Sequence, residues 1–346
     1  MEAKVSPDTA KAKAELLAGG AIRIPEHFRL PFSPSRSTAG PGAGLAEIVL
    51  SFGGTRAKKA ISRTEGEFEL THGTRGFGVA RGTEVIVDGV DLVPTLFHAP
   101  FQAFINVDCS CSLNCAFCNS HRLERNVTKN LTDDKILTMV IEAASTEGFQ
   151  GVALTSGVPT SQEETTDRIV GLISRIRAAL PEAPIGVEPY VTHPRQIDAM
   201  KAAGATEIKI NIESFDPEIF DKVCPSRDYG AILHAINHAG GVFGRNRVCS
   251  NIIFGLGETD DNVLDGAKVL ANMGAVATLR GLRVSNDNSS ALEAALGTLT
   301  PVTPERMLAL ARSQKKILGQ YGLTPLMFKT MCHACLSCDI VPFWDV

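Results

Sequence analysis

From Phe104 onward, short apolar runs alternate with stretches in which apolar residues recur every three or four positions. The first pattern reads as a buried strand and the second as an amphipathic helix. Strands are expected at 104–107, 151–154, 184–187, 207–212, 248–254 and 276–284. Between the first two, Thr132 is placed to cap a helix carrying Ile136, Met139, Val140 and Ala143 on one face. After the second, Ile169, Leu172, Ile173 and Ile176 form the same stripe. Such alternation builds βα units around a parallel sheet. Six repeats over about 220 residues fall short of a closed eight-stranded barrel, which takes about 250. The expected fold class is therefore α/β, with a partial (β/α)6 barrel over residues 101–325.

The flanking segments follow different patterns. Residues 1–44 begin as an Ala/Lys helix candidate and become an arm rich in Pro, Ser and Gly, expected to lie outside the core. Residues 45–100 hold runs such as Ile48-Val49-Leu50 and Val85-Ile86-Val87 between glycine turns, the pattern of a small β-rich N-terminal unit. Pro325 to Lys329 reads as a last strand, and 326–346 as a C-terminal cysteine cluster segment.

With 346 residues, a net charge of −4 and 44% hydrophobic content, the chain reads as an ordinary globular protein, and nucleic acid is not its expected partner. The start, Met1-Glu2-Ala3-Lys4-Val5, lacks the apolar run of a secretory signal. No stretch reaches the roughly 18 apolar residues of a membrane helix. Of nine cysteines, six fall into two compact triplets, which reads as metal ligation in a reducing compartment and points to the cytoplasm. Cys224 and Cys249 stand apart and read as small buried apolar residues.

The first triplet, Cys111, Cys115 and Cys118, is a C-x3-C-x2-C run with Phe117 before its last cysteine. Three thiolates on one tight loop can hold three irons of a 4Fe-4S cluster and leave the fourth open to a chelating ligand. A structural zinc site would need a fourth protein ligand and more usually uses C-x2-C pairs. Cys109 offers a second register, C-x5-C-x2-C; Cys111 is the expected ligand and Cys109 a neighbouring packed thiol. On this motif the chain resembles the radical S-adenosylmethionine (radical SAM) superfamily. The resemblance implies a TIM-like partial barrel with the cluster loop after its first strand. It also implies S-adenosylmethionine bound to the open iron and a 5′-deoxyadenosyl radical released on reduction.

The resemblance also assigns the strand ends. Phe117 beside the cluster, and Ser156 and Gly157 in the turn after the second strand, would contact the cofactor. The acidic residue often found in that turn is missing, so Ser156 or backbone carbonyls would serve. Glu188 ends the third strand, and alternation along the fourth puts Lys209, Asn211 and Glu213 on one face, where they need a ligand or one another. Asn211 and Glu213 are the expected ribose and methionine contacts. Gly255 lies in a G-x-G turn after the fifth strand, where the family approaches adenine, and the sixth carries Arg280 and Arg283, either of which can meet a carboxylate.

The second triplet, Cys332, Cys335 and Cys338, is spaced C-x2-C-x2-C, as at the start of a bacterial ferredoxin motif, and reads as an auxiliary 4Fe-4S site. The alternative is zinc held by these cysteines with His333. A fourth cluster ligand would come from elsewhere, from substrate or from none; the arm serines Ser33, Ser35 and Ser37 are candidates by resemblance to lipoyl synthases. In biotin and lipoyl synthases a carbon radical attacks a sulfide of a second cluster. This chain resembles the biotin-synthase-related branch, and the two-protein lipoyl synthases found in archaea and some bacteria. True biotin synthases keep the second set of cysteines on barrel strands, and ordinary lipoyl synthases keep theirs before the barrel. The resemblance implies sulfur insertion into the octanoyl group of a lipoyl carrier protein or peptide. A second radical SAM protein for the other sulfur and an electron donor such as ferredoxin or flavodoxin are implied partners. Two alternatives stay open: a maturase acting on an amino acid or small molecule in metal-cofactor assembly, and a non-catalytic zinc or Fe-S binding protein.

Overall fold

The computed structural model describes residues 2–122 and 131–346. In the N-terminal part, strands β1 (Ile22–Arg23), β2 (Ser35–Arg36), β3 (Ala46–Phe52), β4 (Thr55–Ser62), β5 (Phe68–His72), β6 (Phe77–Arg81) and β7 (Glu84–Val93) form one sheet. Its order is β2-β3-β4-β1-β5-β6-β7, and β3 also pairs with β7, so the sheet closes into a small barrel. Closure leaves few open strand edges. The expected arm is partly core: Ile22 and Ile24 are fully buried inside this barrel. Helix α1 (Pro7–Ala18), capped by Ser6, buries Ala14 and Leu16. A two-residue strand such as β1 carries too little alternation to be seen in sequence.

The second sheet is parallel throughout, in the order β13-β12-β11-β10-β9-β8. Its strands are β8 (Gln102–Asn106), β9 (Gly151–Thr155), β10 (Ile185–Glu188), β11 (Glu207–Lys209), β12 (Val248–Phe254) and β13 (Val276–Gly281). Helices α2 (Asp133–Ala144) and α3 (Gln162–Ala179) follow β8 and β9 and bury the expected stripes, except that Met139 is only half-buried; Thr132 caps α2. Strand β11 stops earlier than the expected 207–212 because the Ser250 hydroxyl, not a backbone carbonyl, accepts from the Ile212 amide at 3.0 Å. Among the described residues β8 and β13 do not pair, so the barrel is open along one seam. The small barrel lies at that seam: the Lys58 amide of β4 donates to the Ser337 carbonyl at 2.7 Å, and Glu47 of β3 meets Arg283, just beyond β13, at 3.3 Å.

The C-terminal segment plugs the end of the barrel where its strands start. Glu207, the first residue of β11, is fully buried and accepts from the Lys329 amide (2.8 Å), the Thr330 amide (3.0 Å) and the Thr330 hydroxyl (2.6 Å). Gln102, the first residue of β8, accepts from the Met331 amide at 2.6 Å and donates to its carbonyl at 3.2 Å. Gly186 is required there, since a Cβ would lie 2.0 Å from Thr330 Oγ1. The expected strand at Pro325–Lys329 is instead a 3-10 turn, Pro325–Met327. Pro325 has no amide to give a ladder, and the Lys329 amide is taken by Glu207. No helix among the described residues is long and apolar enough to cross a membrane.

The plug is tied to α1 by a fully buried ion pair, Lys13 Nζ to Asp345 Oδ2 at 2.7 Å. Thr55 Oγ1 accepts from Lys13 (3.0 Å) and donates to Asp345 Oδ1 (2.7 Å). Removing one member strands the other charge away from water, a loss of about 3–5 kcal/mol. Asp345→Ala should therefore lower unfolding stability by about that much in urea titrations, and Lys13→Met combined with Asp345→Leu should recover most of it. A single-variant loss below about 1 kcal/mol would show that the pair does not anchor the plug.

Candidate functional site

The loop after β8 is shaped by its own polar residues. Asp108 Oδ1 accepts from the Ser110 amide (3.0 Å) and hydroxyl (2.6 Å), folding the chain back toward the barrel. The turn after β9 then latches it: the Gly157 amide donates to the Asp108 carbonyl at 2.8 Å, and the Ser112 amide donates to the Val158 carbonyl at 2.7 Å. A Cβ on Gly157 would lie 2.1 Å from the Ser110 carbonyl oxygen, so only glycine permits this approach.

Cys111, Cys115 and Cys118 all border one cavity of about 260 Å³. The Val158 amide points at Cys111 Sγ (3.4 Å) and the Ser120 amide at Cys118 Sγ (3.4 Å), contacts suited to thiolates bound to iron. Cys109 does not border the cavity; it is buried with Asn106 Nδ2 3.5 Å from its sulfur. Burial raises the thiols of Cys111 and Cys118, the latter to about 11. The Cys224 thiol hydrogen-bonds to Cys115 and lowers it. Cys224, which reads from sequence as an isolated packed thiol, is thus a direct neighbour of the triplet. A coordinated metal would deprotonate all three thiols. Among the described residues no three Cys, His, Asp or Glu side chains meet at one metal-sized point. A multi-iron cluster binds each thiolate through a different iron and asks only that the three sulfurs face one space.

Phe117, Ser156, Gly157, Glu188, Asn211 and Glu213 border the same cavity. Glu188 Oε1 accepts from Asn211 Nδ2 (2.8 Å) and Lys209 Nζ (3.0 Å). Burial opposes ionisation of Glu188, but these partners hold its carboxyl below the usual range. Burial raises the Glu213 carboxyl, although Arg227 Nη1 stands 3.4 Å from its Oε1. Arg227, unmarked by any motif, lies over the Tyr190 ring at 5.1 Å, and Glu213 itself takes a left-handed backbone conformation at φ 64°. Glu213 Oε2 and Asn251 Oδ1 are buried without a hydrogen-bond partner, and both residues border the cavity. Buried acceptors need donors, and the ammonium and ribose hydroxyls of S-adenosylmethionine are donors of that kind. The residues present therefore fit a three-cysteine cluster with this ligand.

Gly255 and Arg283 stand differently toward the cavity. Gly255 does not border the cavity: its turn, at φ 107°, faces Val302, and its amide donates to Glu258 at 2.8 Å. Arg283 does border the cavity but is paired with Glu47.

Cys332 and Cys338 border this same cavity, reaching it from the plugged end, while Cys335 is buried beside them with its thiol 3.2 Å from Ser337 Oγ. Cys332 Sγ receives Lys209 Nζ and Arg280 Nη2, each at 3.3 Å, and Arg280 also holds Asp339 at 2.9 and 2.7 Å. Burial pushes Cys338 up to about 12 and His333 down to about 4. His333 turns away from the thiols: its Nε2 lies 3.2 Å from Thr278 Oγ1, and it does not border the cavity. Of the arm serines, Ser37 borders the cavity, whereas Ser33 and Ser35 line a separate groove. The small barrel contributes Glu47, Lys58 and Lys59, and the link between the two barrels His98. Paired lysines on a strand hint at buried function only once the strand's inner face is known.

A family model described as the radical SAM superfamily matches residues 105–270. A biotin synthase from Geobacter sulfurreducens is 31% identical over 171 residues, covering 47% of this chain and 49% of that protein. A GTP 3′,8-cyclase from Streptomyces coelicolor is 25% identical over 150 residues, 42% of this chain and 41% of that one. The chain thus spans about half the length of the curated relatives it matches, or less. An FeFe-hydrogenase maturase from Carboxydothermus hydrogenoformans shares the fold with a TM-score of 0.52 and 17% identity, covering 64% of this chain and 52% of that one. A methylornithine synthase does so with a TM-score of 0.51 and 19% identity, covering 62% of each chain.

Two outcomes test the loop geometry. Cys111→Ala should abolish the first cluster in anaerobically reconstituted protein, while Cys109→Ala should keep it, judged by iron content and electron paramagnetic resonance; the reverse would move the register. Gly157→Ala should cut first-cluster occupancy several-fold without unfolding the barrel, and full occupancy would show that the latch is dispensable.

Proposed function

Because this chain belongs, through residues 105–270, to the radical SAM superfamily, we propose that it inserts sulfur into an unactivated C–H bond of a protein-bound octanoyl group. The observation that carries this reading is that Cys111, Cys115, Cys118, Cys332 and Cys338 border a single cavity, entered from opposite ends of one parallel sheet. Bound there, a 4Fe-4S cluster with S-adenosylmethionine supplies a 5′-deoxyadenosyl radical for hydrogen abstraction, and an auxiliary 4Fe-4S cluster supplies sulfur.

The chain's own residues would do the rest. Cys111, Cys115 and Cys118 hold the first cluster, and Cys332, Cys335 and Cys338 the second. Glu213 and Asn251 accept hydrogen bonds from the cofactor, and Glu188 keeps Asn211 and Lys209 in place. Phe104, Phe117, Ile253, Leu282 and Met307 give the cavity an apolar wall that suits an alkyl chain and excludes water from a radical. All nine cysteines are unpaired, which suits a reducing cytoplasm. The substrate's carrier would be a lipoyl carrier protein or a peptide from it. A second radical SAM protein would add the other sulfur, and ferredoxin or flavodoxin would deliver electrons.

Mass spectrometry of an octanoyl-lysine carrier peptide, after anaerobic incubation with reconstituted protein, reductant and S-adenosylmethionine, tests this. The expected product gains one sulfur and is lost in Cys335→Ala. Formation of 5′-deoxyadenosine over an unchanged peptide would overturn the substrate assignment and move a maturase-type reaction ahead of it.

A further inference from the structure

Two cations, the buried Lys209 and the partly buried Arg280, converge on one sulfur at the plugged end of the cavity. Lys209 Nζ, from β11, and Arg280 Nη2, from β13, each lie 3.3 Å from Cys332 Sγ. Neither is a loose surface charge. The Lys209 side chain is 1% exposed and is held by Glu188 at 3.0 Å, and Arg280 is held by Asp339 through two contacts of 2.9 and 2.7 Å. The opposing carboxylates hold both cations beside the sulfur, in the order Glu188–Lys209–Cys332–Arg280–Asp339. The Cys335 thiol, by contrast, hydrogen-bonds to the neutral Ser337 hydroxyl, and Arg56 reaches its backbone carbonyl at 3.2 Å rather than its sulfur.

We propose that Lys209 and Arg280 are positioning residues that raise the reduction potential of the auxiliary cluster through their paired hydrogen bonds to Cys332. This rests on the reading that the second triplet holds such a cluster, and it deepens that reading. A reduced cluster carries one more negative charge than an oxidised one. Cationic donors on a ligand sulfur favour the reduced state, and burial strengthens the effect. The proposed reaction needs that bias. When a carbon radical forms a C–S bond with a bound sulfide, one sulfide electron enters the bond and a second passes to cluster iron. A site that stabilises the added charge favours this step.

The test isolates the second cluster in full-length protein carrying Cys111→Ala, Cys115→Ala and Cys118→Ala, reconstituted anaerobically and titrated with dithionite under electron paramagnetic resonance. Lys209→Met and Arg280→Met should each shift the reduced-to-oxidised ratio at fixed potential about tenfold toward oxidised, about 59 mV lower for one electron. Lys209→Arg should restore most of the shift. Unmoved potentials in variants that still hold the cluster would overturn the inference while leaving sulfur insertion standing. So would loss of the cluster from both methionine variants with the fold intact, because the contacts would then be structural. Failure of the parent protein to hold any cluster would overturn the two-cluster reading itself.

Discussion

One buried carboxylate organises the molecule. Glu207 stands at the start of a central parallel strand, fully out of water, where its charge is tolerated only with donors on both oxygens. It takes three from Lys329 and Thr330, and Arg247 at 3.1 Å supplies a fourth. Satisfying that charge pins the C-terminal segment into the barrel floor, and the next eight residues carry Cys332, Cys335 and Cys338. Gly151 and Gly186, which face Thr330 across the same floor, leave room for this approach.

The open seam between β8 and β13 is the second constraint. An open (β/α)6 barrel exposes its bore along one side, and a hydrogen-abstracting radical needs that bore dry. Here the closed N-terminal barrel lies along the seam and places Glu47, Lys58 and Lys59 on the cavity wall. Lys59 donates to the neutral carbonyls of Leu16 and Gly19, the latter at 2.7 Å, and burial lowers its ammonium to about 7, whereas Lys58 Nζ lies 2.8 Å from Glu47 Oε2. The same logic runs through the bore, where Lys209, Arg227 and Arg280 each hold a carboxylate. Unmatched buried acceptors on the cavity wall include Glu213 Oε2 and Asn251 Oδ1, where a ligand would sit.

Much of this was legible in the sequence because local period carries it. Strands of four to seven apolar residues and stripes such as Ile169-Leu172-Ile173-Ile176 declare themselves within one window, and the cysteine spacing carries its own chemistry. What was hidden depends on distance along the chain. Glu207 meets Thr330 across 123 positions and Lys13 meets Asp345 across 332, and no periodicity encodes such partners. Arg227 and His98 belong to no motif, and Cys224 becomes informative only when the fold sets it beside Cys115. Gly255 shows the opposite limit: a glycine turn after a strand is read the same way whether it faces a ligand or, as here, Val302.

The proposed function requires two iron sites in one cavity inside a single barrel. Anomalous diffraction at the iron edge, from crystals of anaerobically reconstituted protein, tests it most directly. Two iron peaks are expected in the bore, one beside Cys111, Cys115 and Cys118 and one beside Cys332, Cys335 and Cys338. A single iron peak, or a zinc peak at the C-terminal triplet, would contradict it.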